Sequence, residues 1–267
     1  MNLVWQVIKE QITNMHLIFR LAIYDIKSSY QMHYLGILWQ ILNPMSQILV
    51  FWFVFGVGIR EGAPVGDIPF FVWLVVGLIP WFFISSTITQ GSNSVYGKVN
   101  MVSKMKFPVS VLPTIVLVKN TFNYVVMNII LVLVIIVMGV ELTNYLIQVP
   151  YYLLSMYVFL FAVTLLFSTL STIIRDFQLA LQSAMRLLFF LTPILWDASN
   201  LSSFYQTILK VNPLYYIIDG LRKAFLGYGW FYEDLNYALY FWLLTLSILL
   251  VGAFLHFKFR NKFVDYL

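Results

Sequence analysis

The sequence predicts an all-α polytopic membrane protein: six transmembrane helices, an N-terminal amphipathic interface helix, and two short outer re-entrant helices before the last span. Three observations carry this prediction. Of the 267 residues, 61% are hydrophobic and only 10% are charged, with a mean hydropathy of +0.85. A soluble domain carries about a quarter charged residues, so a surface this poor in charge needs lipid as its solvent. Six stretches also reach the roughly 20 apolar residues that cross a bilayer, and none of them contains an acidic residue.

The first element is Asn2–Tyr34. Arg20, Tyr24, Lys27 and Gln31 recur every three or four residues and share a helix face, with Leu17, Ile18, Leu21 and Ile23 among them. This reads as a helix along the inner interface. Two roles stand for it: a passive anchor drawn to anionic lipid, or a contact from Arg20 and Lys27 to an anionic head group entering from the inner leaflet. Charge is scattered over this segment and no compact apolar run ends in small residues, so a secretory signal is not expected.

The six spans are Leu35–Ile59, Ile68–Thr89, Val109–Val140, Val149–Ile174, Phe177–Trp196 and Leu235–Phe257. Pro44, Pro80, Pro113 and Pro193 sit inside or near them, where neighbours must satisfy the freed carbonyls. Lys9, Arg20, Lys27, Lys98, Lys104, Lys106, Arg175, Lys258, Arg260 and Lys262 fall on one side of these spans; Arg60, Lys210, Arg222 and Lys223 fall on the other. The richer side is cytoplasmic by the positive-inside rule, which places both termini inside.

Ser94–Pro108 lies between the second and third spans. Val95, Val99 and Val102 share one helical face, with Lys98, Lys104 and Lys106 elsewhere. A short helix with exposed apolar knobs suits docking in a groove of another protein; a plain basic loop that fixes topology is the alternative. Asp197–Asp234 precedes the last span. Leu214, Ile217, Ile218, Leu221 and Phe225 follow helical spacing, with Asp219, Arg222 and Lys223 opposite, and Asn212-Pro213 suits a helix start. With Leu201–Val211 as a partner helix, this is either a hairpin dipping into the bilayer or a surface pair. Trp73, Tyr151, Tyr152, Trp196, Tyr237, Tyr240 and Trp242 are expected as an interfacial belt near the outer span ends, and some of the remaining rings can line a sugar path.

Lys119 and Arg186 fall within spans. Such cations are functional-site candidates, or they snorkel to the interface. Chemistry finds little else to work with. There is no cysteine, the histidines (His16, His33, His256) are scattered, and no GxxxxGK[ST] phosphate loop occurs. No metal site, catalytic residue or nucleic-acid partner is expected. Carboxylates absent from the spans argue against a proton relay, so the energy must come from elsewhere.

The pieces occur in a familiar order: Tyr30–Met45 (YQMHYLGILWQILNPM), Lys104–Pro113 (KMKFPVSVLP), Ser171–Gln178 (STIIRDFQ), Leu191–Asp197 (LTPILWD) and Asn212–Leu226 (NPLYYIIDGLRKAFL). In this order the chain resembles the permease subunits of ABC-2 type polysaccharide exporters. Phe19–Gln40 and Phe51–Ser85 carry a closer resemblance to the wall teichoic acid translocation permeases of Gram-positive bacteria; O-antigen and capsule permeases share the framework.

The resemblance implies three regions: an interface helix over 1–34, a six-span domain over 35–258 and a basic cytoplasmic tail over 259–267. It implies a homodimer in a bacterial plasma membrane with two separate ATPase subunits, which bind the ATP and Mg. Val95, Lys98, Val99, Val102, Lys104, Met105 and Lys106 would lie on a coupling helix over about 94–106, with a second, shorter contact starting near Arg175–Gln182 and including Arg175 and Asp176. Helices over about 201–226 would form an outer gate including Leu214, Ile218, Arg222, Lys223 and Phe225. The implied cargo is a polymer on undecaprenyl diphosphate. Arg20, Lys27 and Arg186 suit an inner mouth for that diphosphate, and a path free of carboxylates would not repel a polyanion. The rival readings are O-antigen or capsule export and, from another class, a membrane-embedded glycosyl- or phosphotransferase.

Overall fold

Peptide groups in a lipid setting must bond within their own segment, which makes helices of long apolar runs. The computed structural model describes residues 2–30, 34–98, 107–174, 176–199, 201–260 and 263, and every regular element among them is helical. The chain opens with α1 (Asn2–Thr13) and α2 (Met15–Tyr30). Next, α3 (Trp39–Phe51) runs on into a π-helical stretch over Trp52–Ile59. Three long helices follow: α4 (Phe70–Ser92), α5 (Leu112–Val137) and α6 (Val149–Ile173). Then come α7 (Phe177–Leu191), the short α8 (Ser203–Lys210) and α9 (Pro213–Leu226), and finally α10 (Leu235–Phe259). Prolines stand in the first turns of α5, α6 and α9, where a missing N–H leaves nothing unpaired. Asn212 caps α9 by accepting from the Leu214 N–H at 3.0 Å, and Gly227, at φ +80°, ends it.

Among the described residues, five helical segments are long and apolar enough to cross a membrane: Trp39–Ile59, Phe70–Ser92, Val109–Val137, Asn144–Ile173 and Phe231–Phe259. The fifth predicted span, Phe177–Trp196, falls short of that. It stops at Leu191 after 15 residues, a rise of about 22 Å against a hydrocarbon layer of about 30 Å. Pro193 is the cause, because it disfavours the helical region for the residue before it, and Thr192 sits at ψ 133°. The chain continues from Thr192 to Leu195 as buried, irregular backbone.

Helix α4 is the centre of the bundle and packs against α5, α6 and α9, while α6 packs along α10. Leu74, Leu78, Ile79 and Ile84 of α4 meet Met156 and Leu160 of α6 in the main core. Ring pairs extend this core: Tyr216 stacks on Phe241 at 4.5 Å and Phe83 on Tyr124 at 4.6 Å. The expected aromatic belt is partly internal. Trp73 and Tyr152 are buried, and the Tyr151 and Tyr216 hydroxyls pair at 2.8 Å while Trp242 Nε1 donates to Tyr151 at 3.1 Å.

The predicted single interface helix is two helices packed on one end of the bundle. Ile18 and Ala22 of α2 share a cluster with Val95, Val111, Leu112 and Ile115; Val7 of α1 packs with Ala162, Leu165, Leu249 and Ala253. Polar links add direction. The Ser110 hydroxyl donates to the Glu10 carboxylate, Gln11 donates to the Ser110 carbonyl at 3.1 Å, and Arg260 pairs with Glu10 at 3.1 Å. Lys119 donates to Ser29 Oγ of α2 at 3.2 Å, so it reaches toward this end, as the snorkelling alternative expects.

Candidate functional site

A cleft of about 690 Å³ lies between α3, α4 and α7. Its apolar walls are the rings of Phe51, Trp81, Phe189 and Phe190, with Phe189 5.2 Å from Phe51 and 5.5 Å from Trp81. Helical spacing supplies the polar side. Asn43 and Gln47 stand one turn apart on α3, as do Gln182 and Arg186 on α7, while Ser85, Ser86 and Thr89 come from α4 and Asn123 from α5. Ser86 and Thr89 donate to carbonyls of their own helix, whereas the Asn123 side-chain oxygen is buried without a partner.

Arg186 is the one charged residue on this lining. It is exposed, and its Nε donates to the Gln182 carbonyl at 3.4 Å. Among the described residues no carboxylate pairs with it. Rings offer faces to the C–H surfaces of sugars, amides and hydroxyls offer exchangeable hydrogen bonds, and an unpaired guanidinium favours an anion. Among the described lining residues no nucleophile stands next to a base.

The segment expected to form an outer gate departs from its sequence pattern. Leu214, Ile218 and Phe225 are buried as expected, and Lys223 pairs with Asp219 at 3.0 Å. Arg222, expected on the polar face, is 4% exposed. Its two terminal nitrogens donate to the Pro193 carbonyl and, at 2.7 Å, to the Ile194 carbonyl, and its guanidinium lies 3.6 Å over the Trp73 ring. Burial pulls its pKa down to about 10, with Asp219 opposing, so it stays a cation at neutral pH. Gly77 makes the room: a Cβ there would lie 2.2 Å from the guanidinium. Gly220 plays the same part for α9 as a whole, since a Cβ would stand 1.9 Å from the Tyr152 ring. The polar face fails here because α9 is covered on nearly all sides by α4, α6 and the chain after α7.

The expected ATPase contacts divide. Val95 is not an exposed knob; it is fully buried under α2, which closes over it. Lys98 is paired with Asp25 of α2 at 2.7 Å. Val99, Val102, Lys104, Met105, Lys106 and Arg175 lie outside the described residues, as does Gln31. Asp176 is exposed at the start of α7, and Arg20 and Lys27 are exposed on α2. The sequence reading passed over Trp81 and the α3 amides as lining groups; amides at i and i+4 inside an apolar span were the available signal.

Residues 16–226 match the family described as ABC-2 type transporter. The chain is 29% identical over 203 residues to the O-antigen export system permease protein RfbA of Myxococcus xanthus, covering 75% of this chain and 76% of that protein. It is 27% identical over 237 residues to the protein of the same name from Klebsiella pneumoniae, covering 88% and 90%. It is 28% identical over 229 residues to the polysialic acid transport protein KpsM of Escherichia coli, covering 84% and 87%.

Proposed function

The chain belongs to the ABC-2 type transporter family, and from that premise we propose that it is the membrane permease of an exporter of a surface polysaccharide. The observation that carries this reading is the cleft between α3, α4 and α7, with its rings, amides, hydroxyls and single unpaired cation. A glycan slides along such a surface because each ring face and each hydrogen bond is weak and replaceable. The relatives named for O-antigen and polysialic acid transport favour that branch over the wall teichoic acid branch. Teichoic acid remains a second reading, supported by Arg186 and the absence of carboxylates from the cleft, which a polyanion needs.

The reading continues as follows. Two copies face each other across the open sides of α3 and α7 and enclose the path. A separate ATPase, binding ATP and Mg, engages the end that carries α1, α2 and Asp176, which is cytoplasmic in a bacterial plasma membrane. Arg20 and Lys27 meet the diphosphate of a lipid-linked polymer there.

Deletion of the gene should leave lipid-linked polymer inside the cell and remove it from the surface; chemical typing of that polymer identifies the branch. Trp81→Ala with Phe189→Ala should leave the ATPase complex assembled and lower surface polymer on the order of tenfold, given the roughly 0.5–1.5 kcal/mol of an aromatic contact. Normal surface polymer in the deletion strain rejects the reading, and polymer synthesis by the purified chain alone turns it into a transferase.

A further inference from the structure

Helix α7 is held by its ends more than by its side. Only Leu181 and Met185 are buried along it, and Leu179, Leu187, Phe190 and Leu191 are exposed. At its first turn, Gln178 accepts from the Ser92 hydroxyl at 2.7 Å and donates to the Thr89 carbonyl at 2.9 Å, which pins α7 to the last turn of α4. At its far end, Arg222 of α9 grips the Pro193 and Ile194 carbonyls, and Asn212, the cap of α9, donates to Thr192 Oγ1 at 2.8 Å.

The Arg222 contact is unusual in kind. A buried cation is normally neutralised by a carboxylate, yet the partners here are two successive carbonyls of irregular backbone and the face of Trp73. Its Nε has no partner. An apolar side chain of similar volume would fill the space but leave both buried carbonyls unpaired. What the guanidinium adds is a directional, two-point link between α9 and the end of α7.

We infer that Gln178 and Arg222 are positioning residues for export, latches at opposite ends of α7 that pass a displacement at the contact between α4 and the start of α7 on to α9. The helix between them is rigid and little encumbered, so a shift of one end reaches the other as a rigid-body movement. This rests on the export reading, which puts the ATPase at the Gln178 end and the exit at α9.

The chain has no cysteine, so Tyr228→Cys, an exposed site just past α9, provides a unique label position. The permease is assembled with its ATPase subunit in proteoliposomes, and labelling by an impermeant maleimide is compared without nucleotide and after trapping with ATP and vanadate. With both latches intact the rate should change about tenfold, a typical coupling between sites. In Arg222→Met the two rates should coincide, and polymer exported per ATP hydrolysed should fall by a similar factor; Arg222→Lys, which keeps the charge without the fork, should restore part of both. Gln178→Met should give the same loss from the other end and decides the matter if Arg222→Met does not assemble. A full nucleotide response in the methionine variants overturns the latch while leaving the export reading intact. A complex with intact latches and no nucleotide response sinks the export reading itself.

Discussion

Helices α3 and α4 read alike in sequence and end in opposite environments. Each belongs to an apolar run of spanning length with a proline inside it, Pro44 in one and Pro80 in the other, and their hydropathies are close at 1.6 and 2.0. Yet 78% of the most apolar stretch of α4 is buried and only 11% of that of Trp39–Ile59, α3 with its π-helical continuation. Hydropathy does not separate them because lipid and protein interior are equally apolar. Close approach does. Glycines and small side chains let α4 sit against its neighbours, and a Cβ at Gly91 would stand 2.6 Å from Thr164 of α6. Helix α3 turns Leu42, Met45 and Leu49 outward, as its π-helical continuation turns Phe53, and α3 keeps its amides for the cleft. A shared scaffold and a loosely attached wall are what a path that must open and close requires.

The strongest way to break this contrast is to wedge the scaffold. Gly91→Val should push α4 from α6 and destabilise the chain by about 3 kcal/mol, the upper end for overpacking. Thr164 cannot turn away freely, because its hydroxyl donates to the Leu160 carbonyl at 2.7 Å. Thermal unfolding of the purified chain in detergent measures this, and an unchanged midpoint would show that α4 is no more fixed than α3. The buried scaffold also extends past α4 to Val95. Val95→Ala should lower the stability of the isolated chain by about 1–2 kcal/mol, in the range for removing buried methyl groups. Normal stability combined with weaker ATPase binding would instead restore Val95 to the docking surface that the sequence suggests.

The spans were legible in sequence because length and charge exclusion are local properties: four of the six predicted stretches match helices to within a few residues, and Leu35–Ile59 differs chiefly in its π-helical end. The fifth is shorter as a helix than as an apolar run because hydropathy ignores Pro193, whose effect on Thr192 is conformational. Arg222 and Val95 were misplaced for a different reason. A helical-face pattern assumes one covered side per helix, whereas tertiary packing covers α9 almost all round and brings α2 over Val95. Of the cleft, Arg186 alone was marked beforehand, since a cation in an apolar run stands out. Trp81 and Phe189 did not, because a ring among rings carries no sign of which surface it faces.

The mildest test sits on the π-helical continuation of α3. At Gly58 a Cβ would find only the Phe53 carbonyl, 3.7 Å away, which is ordinary contact. Gly58→Ala should therefore leave the isolated chain as stable or raise its stability by about 0.5 kcal/mol, because alanine has less backbone freedom to lose on folding. The proposed pairing of two copies adds a second expectation. If another protein surface lies on this face, the extra methyl group meets it only in the assembled exporter, so self-association measured in lipid should weaken although the single chain does not. Gain of stability with unchanged self-association would mean that this continuation of α3 faces lipid, and the path would then have to be enclosed by α7 without it.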